Sequence, residues 1–526
     1  MPTSGFRMAE AVEKALNDGN SQYFMKPHVI VDAQGEPIGA ISDGDAVIFC
    51  CRRGEREVQL TRAFVDPSFQ EFPTAKFKEL NFVTMTRYHE MFKDVPVAFP
   101  PAANPENTLG EVFSRSNLRQ LRIAESEKFA HVTFFLNGGR HEPFPGEDHV
   151  CVPSLKNVAF DDVPEMKSES VTQAVVEGMM SPDYHFIAVN LANGDIIGHL
   201  NNFEAKIRCA EALDACLGIM LETAHRQGIV VIVTADHGLL EKGYDSDGYP
   251  NLHHTRSPVP LVLVHPSEKN GFNLDETGIL ADVAPTMLEL MGLSKPGEMT
   301  GRSLLRKRSS GPIGGKRVVL IIMDGWGIGL EDNSNPIYVG ETPVWNKLMK
   351  VWPQATLRCS GEAVGLQKAK PGNSEAGHMN IGAGRVVIQD DVRIAQALEN
   401  SSFESNEAFL EAINGAKRRE SALHLITMLS NRSSHGSLDY PLALVRLARK
   451  HGLKRVFIHT IFNRPYRTET APNLLRDLAA EMETIGVGEI ATGVGRGLAL
   501  DRDGDYQKTK RAYDALVFGS GIAVKS

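Results

Sequence analysis

The stretch Arg317-Val-Val-Leu-Ile-Ile-Met-Asp-Gly-Trp-Gly327 decides how this chain is read. Its apolar run, Val318 to Met323, is short, bounded and rich in β-branched residues, as in a strand buried on both faces. The run stops at Asp324. Open α/β sheets bind ligands at the carboxyl ends of their strands. Asp324 is therefore either a turn residue or a carboxylate delivered to an active-site edge. The stretch reads as the opening strand of an α/β enzyme, yet more than three hundred residues precede it.

Working outward, other runs have the same length and composition. Val47–Phe49, His131–Phe135, Phe186–Val189, Ile229–Thr234 and Val456–Ile458 read as buried strands. Between them, Lys206–Leu221 and Leu442–Lys450 place apolar residues at helical spacing. Strands alternating with helices predict an α/β chain with mostly parallel sheets covered by helices. The basic, Gly/Ser/Pro-rich segment 306–316 sits directly before Val318 and reads as a surface loop or linker marking a junction.

At 526 residues the chain is long enough for more than one domain. A formal net charge of −9 argues against a broad nucleic-acid footprint. The six cysteines form no C-x-x-C pair and read as reduced, packed thiols. The first residues lack a signal-peptide apolar region, and no apolar run approaches the roughly 20 residues of a membrane span. A cytoplasmic protein without a membrane or nucleic-acid partner is expected.

Three strands end in polar groups. Val318–Met323 delivers Asp324. Ile229–Thr234 delivers Asp236 and His237. Phe186–Val189 leads to Asp195 and His199, four residues apart, which one helical turn aims at one point. His253-His254 is a further pair. Each item alone has an ordinary alternative: a turn, or a surface pair. Together they offer the carboxylate and imidazole donors that suit a borderline divalent metal such as Mn²⁺ or Zn²⁺.

Lys370-Pro-Gly-Asn-Ser374-Glu-Ala-Gly-His378 adds a serine at a turn-to-helix transition. Ser374 is either a helix N-cap or a nucleophile at a helix N-terminus, where backbone N–H groups favour phosphate. A serine hydroxyl needs a base or a metal to become nucleophilic. Two divalent ions, about four positive charges, balance Asp195, Asp236, Asp324 and a Ser374 alkoxide. Phosphate-matching cations are available in Arg53, Arg56, Arg496, Arg502 and Lys128, each also readable as a solvated surface charge. Gly493-Val-Gly-Arg-Gly497 is followed by Leu498 and so is not a dinucleotide fingerprint. The Ser374 segment misses the G-x-S-x-G elbow by one residue, and neither a Walker P-loop nor H-E-x-x-H occurs.

At this point the sequence resembles the cofactor-independent (2,3-bisphosphoglycerate-independent) phosphoglycerate mutases of the alkaline phosphatase superfamily. The resemblance rests on Met323-Asp-Gly-Trp-Gly327, Asn373 to Arg385, Asn190 to His199, Thr234-Ala-Asp-His-Gly238, Gln59 to Phe64 and Ala130 to Gly139. It implies an alkaline-phosphatase-like metal domain and a second α/β substrate (transferase) domain. It implies two divalent ions, Mn²⁺ first, with Co²⁺, Mg²⁺ or Zn²⁺ as alternatives, and no 2,3-bisphosphoglycerate. Asp324, Ser374, Asp236 and His237 would hold one ion; Asp195, His199 and His254 would hold the other. Ser374 would carry the phosphoryl group as glycolytic 3-phosphoglycerate becomes 2-phosphoglycerate. His435 would be the acid/base for the glycerate hydroxyl. Arg53, Arg56, Lys128, Arg496 and Arg502 would hold the substrate. A monomer is expected.

Two departures stand out. Family members begin with the strand ending in Asp-Gly and end near Thr-Gly-Arg/Lys-Ser-Leu. Here Met299-Thr-Gly-Arg-Ser-Leu304 precedes segment 306–316 and then that strand. The chain thus resembles a circular permutation, with old termini joined through 306–316 and a new cut in a helix-rich connection between Gly521 and Met8. The metal domain is then continuous, 105–390, and the substrate domain is split into 391–526 and 1–104. Secondly, the family's Asp-Gly-Arg-Asp after the strand at Val456 is replaced by Asn463-Arg-Pro-Tyr-Arg467-Thr-Glu469, and Asn431-Arg432 stands where Asp-Gly is usual. Arg464 or Arg467 is a candidate substitute for the Arg, and Tyr466 or Glu469 is expected near the substrate. These changes keep two alternatives open, a related metal-dependent phosphomonoesterase and a weakly active metal-binding scaffold.

Overall fold

The computed structural model describes residues 4–526 except 55, 102, 103, 157, 246, 267–271, 308–316, 432, 434, 466–469 and 503. Most of segment 306–316, and Tyr466, Arg467, Glu469 and Arg432, therefore lie outside the described residues. The chain divides into two compact α/β units, one of Ala103–Val392 and one of Met1–Ala102 with Arg393–Ser526.

In the continuous unit an eight-stranded sheet runs Thr277–Ile279, Gln354–Arg358, Val259–Val264, Val230–Thr234, Val318–Met323, Phe186–Leu191, Gln120–Glu125, Glu147–Val152. Only Val259–Val264 is antiparallel to its neighbours. The other seven strands therefore aim their carboxyl ends at one edge. Every residue of Val318–Met323 is buried, because parallel strands on both sides and helices on both faces cover it. The helix Phe203–Gln227 packs on this sheet. It starts at Asn202, whose side chain accepts from Ala205 N, and stops at left-handed Gly228.

In the split unit an eight-stranded sheet runs Ile522–Lys525, His28–Val31, Glu489–Gly495, Val456–Phe462, Leu423–Leu429, Ala46–Phe49, Asn81–Thr86, Val97–Phe99. Side-chain alternation splits its core in two. Ala46 and Ile48 join one apolar cluster, Val47 and Phe49 the other. Helix Ser4–Asn17 is followed along the chain by strand His28–Val31, which pairs with Ile522–Lys525. The connection expected to be helix-rich between Gly521 and Met8 thus contains a strand.

Two local expectations are corrected. His131–Phe135 is not a strand. It is one turn of π-helix, with Leu136 N donating to His131 O at 3.0 Å. Its composition matches a strand, but adjacent Val132 and Thr133 are both buried, as are Leu136 and Asn137 one turn later, a spacing that a helix gives and strand alternation does not. Arg306 is not loop either: Leu305–Lys307 is a strand paired with Phe272–Leu274.

Among the described residues no helix is long and apolar enough to cross a membrane. All six cysteines are free, and all but Cys151 are buried.

Candidate metal centre

Three neighbouring strands converge on one cluster of carboxylates and imidazoles. Asp324 follows Val318–Met323, Asp236 and His237 follow Val230–Thr234, and Asp195 sits in the short helix Asn193–Gly198 after Phe186–Leu191. Gly325 turns the chain beside Asp324. Its φ is +77°, and a Cβ there would stand 2.8 Å from Asp195 N, so glycine is required by both conformation and space. Gly377 lets the helix Ser374–Ala383 approach Asp236; a Cβ would meet the Asp236 carbonyl oxygen at 2.7 Å. That helix is capped by Asn373, whose side chain accepts from Ala376 N at 2.8 Å. Ser374 is thereby not the cap, and its hydroxyl faces the cluster.

The Ser374 hydroxyl lies 2.7 Å from Lys128 Nζ, 2.9 Å from His237 Nε2 and 3.3 Å from Asp324 Oδ1. Lys128 Nζ also donates to Asp195 at 2.6 Å and to Asp324 at 3.0 Å. His254 Nε2 lies 3.0 Å from Asp195 Oδ1, and His199 Nε2 lies 3.3 Å from the same oxygen. The expected metal residues are thus brought together in one unit, where the donor atoms form two close groups. His237 stacks on His254 with ring centroids 3.9 Å apart and joins Asp195 and His254 in one set. Asp236 and Asp324 form the other with His378.

The chemistry of the donors tests whether they fit a metal. His199 Nδ1 lies 2.8 Å from Leu252 O, and His254 Nδ1 lies 2.8 Å from Gly372 O. A carbonyl only accepts, so both Nδ1 atoms carry the proton and both Nε2 lone pairs point inward. Those Nε2 atoms are 3.1 Å apart and face Asp195. Two lone pairs and a carboxylate at that spacing require a proton or a cation between them. Among the described residues the buried Asp236 Oδ2 accepts no hydrogen bond. The set therefore fits divalent cations, with the Lys128 ammonium as one positive charge already among the carboxylates.

The electrostatics agree. Burial works against a charged Lys128, but Asp324, Asp195 and Asp236 outweigh it and hold its pKa above the usual lysine value. Burial likewise opposes ionised Asp195, yet the polar contacts with the His199 and His254 imidazoles and the Lys128 charge keep it well below the usual carboxylate range. Burial also opposes charge on His237, and Asp236 and Asp324 overcome it, raising the imidazole to about 9. The centre as a whole is a trap for positive charge.

Several participants were not legible in the sequence. Asn190 Nδ2 donates to Asp324 Oδ2 at 2.7 Å and lies 3.0 Å from His378 Nε2. His378 Nδ1 donates to Ser374 O at 2.9 Å. Both were quoted within motifs, and the i, i+4 spacing from Ser374 to His378 was the available signal. His131 packs on His378, and burial pushes its pKa down to about 4, leaving it neutral.

The remaining predicted residues are in the split unit. His435 is buried, with Nδ1 2.8 Å from Glu57 Oε1. Glu57, missed in the sequence, opens the helix Val58–Val65. Arg496 donates to Asn463 Oδ1 at 3.0 Å, and its pKa is lowered first by burial and then by the charge of Arg56. Arg53 and Arg502 are exposed. Arg464 stacks over the Tyr23 ring at 4.9 Å. Arg52, beside Arg53, is bound into the fold by Tyr440 and the Ser433 carbonyl.

Residues 11–295 match the family described as the Metalloenzyme superfamily, and residues 394–526 match the family described as BPG-independent PGAM N-terminus. A protein of Pseudomonas aeruginosa named 2,3-bisphosphoglycerate-independent phosphoglycerate mutase is 45% identical over 297 residues, 56% of each chain. A protein of the same name from Syntrophotalea carbinolica is 45% identical over 305 residues, 58% of each chain. The chain spans about half the length of the curated relatives it matches. A solved structure of Leishmania mexicana phosphoglycerate mutase at low cobalt concentration is 30% identical, with 53% of each chain covered and a TM-score of 0.42. With its first match covering more than half of its length, the chain belongs to the Metalloenzyme superfamily.

Proposed function

We propose that this protein interconverts 3-phosphoglycerate and 2-phosphoglycerate without 2,3-bisphosphoglycerate, through a phosphoserine at Ser374. The observation that carries the reading is the Ser374 hydroxyl itself. It is relieved of capping by Asn373 and held between Lys128 Nζ at 2.7 Å and His237 Nε2 at 2.9 Å. The names of the half-length relatives supply the substrate class.

In this reading Asp324, Ser374, Asp236 and His237 hold one divalent ion and Asp195, His199 and His254 the other, Mn²⁺ being the first choice. Such ions polarise phosphoryl oxygens and lower the pKa of a bound hydroxyl. Lys128 keeps a fixed positive charge beside the serine oxygen where negative charge develops. Asn190 and His378 fix Asp324 and the helix start, so the nucleophile is pre-positioned. Ser374 Oγ forms the new bond to phosphorus as the ester oxygen of the substrate leaves. Transfer back to the other hydroxyl regenerates the serine. His435, oriented by Glu57, exchanges the hydroxyl proton of the glycerate. Arg53, Arg56, Arg496 and Arg502 have the charge its carboxylate requires.

We also read the segment order as rotated. Support comes from the family match described as an N-terminus, which falls at 394–526, after the metal-bearing residues, and from the single continuous span of the metal-bearing unit. A rearranged chain, opened within 308–316 and linked from Ser526 to Met1, should keep the fold and activity; an unfolded product would overturn the rotation. The reading further takes the protein as a cytoplasmic monomer, which sedimentation and cell fractionation check.

A phosphatase is the second reading. The Asp expected at the substrate has no clear counterpart in the segment that starts at Asn463, and Asn463 itself is engaged by Arg496, which favours weaker retention of glycerate. Metal-loaded protein incubated with 3-phosphoglycerate, followed by phosphorus NMR, separates the two. Formation of 2-phosphoglycerate without added 2,3-bisphosphoglycerate supports the mutase. Free phosphate as the sole product sinks it, and no turnover sinks both.

A further inference from the structure

The sheet edge that carries Asp236 and His237 continues past the antiparallel strand Val259–Val264 to Gln354–Arg358 and Thr277–Ile279. Register there is specific. Thr356 lies opposite Thr277 on one side and Pro260 on the other, and Arg358 lies opposite Ile279. Side chains alternate along a strand, so Thr356 and Arg358 share one face with Thr277 and Ile279, while Leu357 is buried on the other. This face, together with Arg256, Thr300 and Arg302, lines a cavity of about 760 Å³. Cavities that hold small organic ligands span roughly 300–1,000 Å³.

The charges in this cavity do not cancel. Among the described residues that line it the one carboxylate, Asp282, is consumed by the backbone: Oδ2 accepts from Ile279 N at 2.9 Å and Oδ1 from Arg302 N at 2.8 Å. The Arg302 side chain is paired with Asp275. Arg256 and Arg358 are exposed, and neither has an ion-pair partner among the described residues. The hydroxyls of Thr277, Thr300, Thr356 and Ser360 likewise make no hydrogen bond among the described residues. Two unpaired guanidinium groups match the roughly two negative charges of a phosphomonoester at neutral pH. Their planar forks suit phosphate oxygens. Pro258 and Ile279 add an apolar wall for a carbon skeleton, and the hydroxyl row suits a polyol or ribose.

We propose that this cavity binds a phosphomonoester of sugar or nucleoside size, its phosphate on Arg256 and Arg358 and its hydroxylated body against Thr277, Thr300 and Thr356. None of the residues lining it is one assigned to the metal centre, and the proposal does not depend on the reaction assigned to Ser374.

Calorimetry on the full chain tests this, with ribose 5-phosphate and adenosine 5′-monophosphate as probes and ribose and adenosine as uncharged controls. At least one phosphate should bind with a submillimolar Kd, and neither control should bind. Arg256→Gln with Arg358→Gln replaces no metal-centre residue and should weaken binding by about tenfold or more, as expected for losing charge-assisted hydrogen bonds. Both arginines are exposed, so the melting temperature should hold. If the double variant melts early, each single variant must show a partial loss. Absence of binding by both phosphates, equal binding of the controls, or unchanged affinity in the variants would each overturn the proposal.

Discussion

His199 and His254 face each other through Nε2 atoms 3.1 Å apart, while each commits its Nδ1 proton to a backbone carbonyl. The fold fixes both tautomers from behind and leaves both lone pairs converging on Asp195. Mn²⁺ added to chelator-treated protein should therefore raise its melting temperature. At a hundredfold excess over Kd the stabilisation is about 2.7 kcal/mol. His254→Ala and His199→Ala should each lose most of that shift. Equal shifts in wild type and variants, read by scanning calorimetry, would place the ion elsewhere.

Ser374→Ala should abolish turnover, by a factor on the order of 10³ or more, because no other hydroxyl takes the phosphoryl group. Stability should barely change, since Asn373 rather than Ser374 caps the helix. Intact-protein mass spectrometry after brief exposure to substrate should find phosphate on wild type and none on the variant. Near-normal turnover in the variant would refute a phosphoserine route.

Gly325→Ala forces a side chain into left-handed backbone and toward Asp195 N. The conformational part alone costs about 1–2 kcal/mol, and the close approach displaces Asp195. Denaturant unfolding should show the lost stability and metal titration a weakened site. A variant matching wild type in both would mean that the Asp324 turn has slack.

Glu57→Gln should slow turnover by about 10²-fold, within the range of acid–base catalysis, since His435 Nδ1 has Glu57 as its carboxylate partner at 2.8 Å. Phosphorylation of Ser374 should still occur, because that step uses the other unit's residues. A split between kcat and KM distinguishes this role from a purely structural one: kcat should fall while KM and the melting temperature hold. An unchanged kcat would remove Glu57 from the mechanism.

His424 and His459 form a buried chain in the split unit, from Asp45 through His424 and His459 to Thr492. Burial is the first cause of the lowered pKa of each. A group whose folded pKa lies below its unfolded value of 6.5 binds its proton more readily when unfolded. Stability should therefore be unaffected by these groups at high pH and fall as pH drops below about 6.5, by up to about 1.4 kcal/mol per pH unit for each proton taken up on unfolding. Melting between pH 5 and 8 measures the slope. His459→Gln should flatten it, and a slope that rises toward acid would contradict the assignment.

The strands at Val318, Val230 and Phe186 were legible because burial on both faces demands unbroken apolar runs, and a run's end is visible in one dimension. The four-residue spacing of Asp195 and His199 and the turn before Ser374 were legible for the same local reason. The run at His131 misled because β-branched and aromatic residues fill a buried helical turn as well as a strand, and only packing against the helix Ser374–Ala383 separates the two. Lys128 shows the limit most plainly. Its ammonium meets Asp195, Asp324 and Ser374, which lie 67, 196 and 246 residues away along the chain. Glu57 reaches His435 across 378 residues. By itself the sequence determined which segments must be buried and which polar residues stand at their ends. The tertiary structure decided which of those ends meet. Sheet order and register bring distant positions to one edge, and burial there turns ordinary carboxylates and imidazoles into a charged trap.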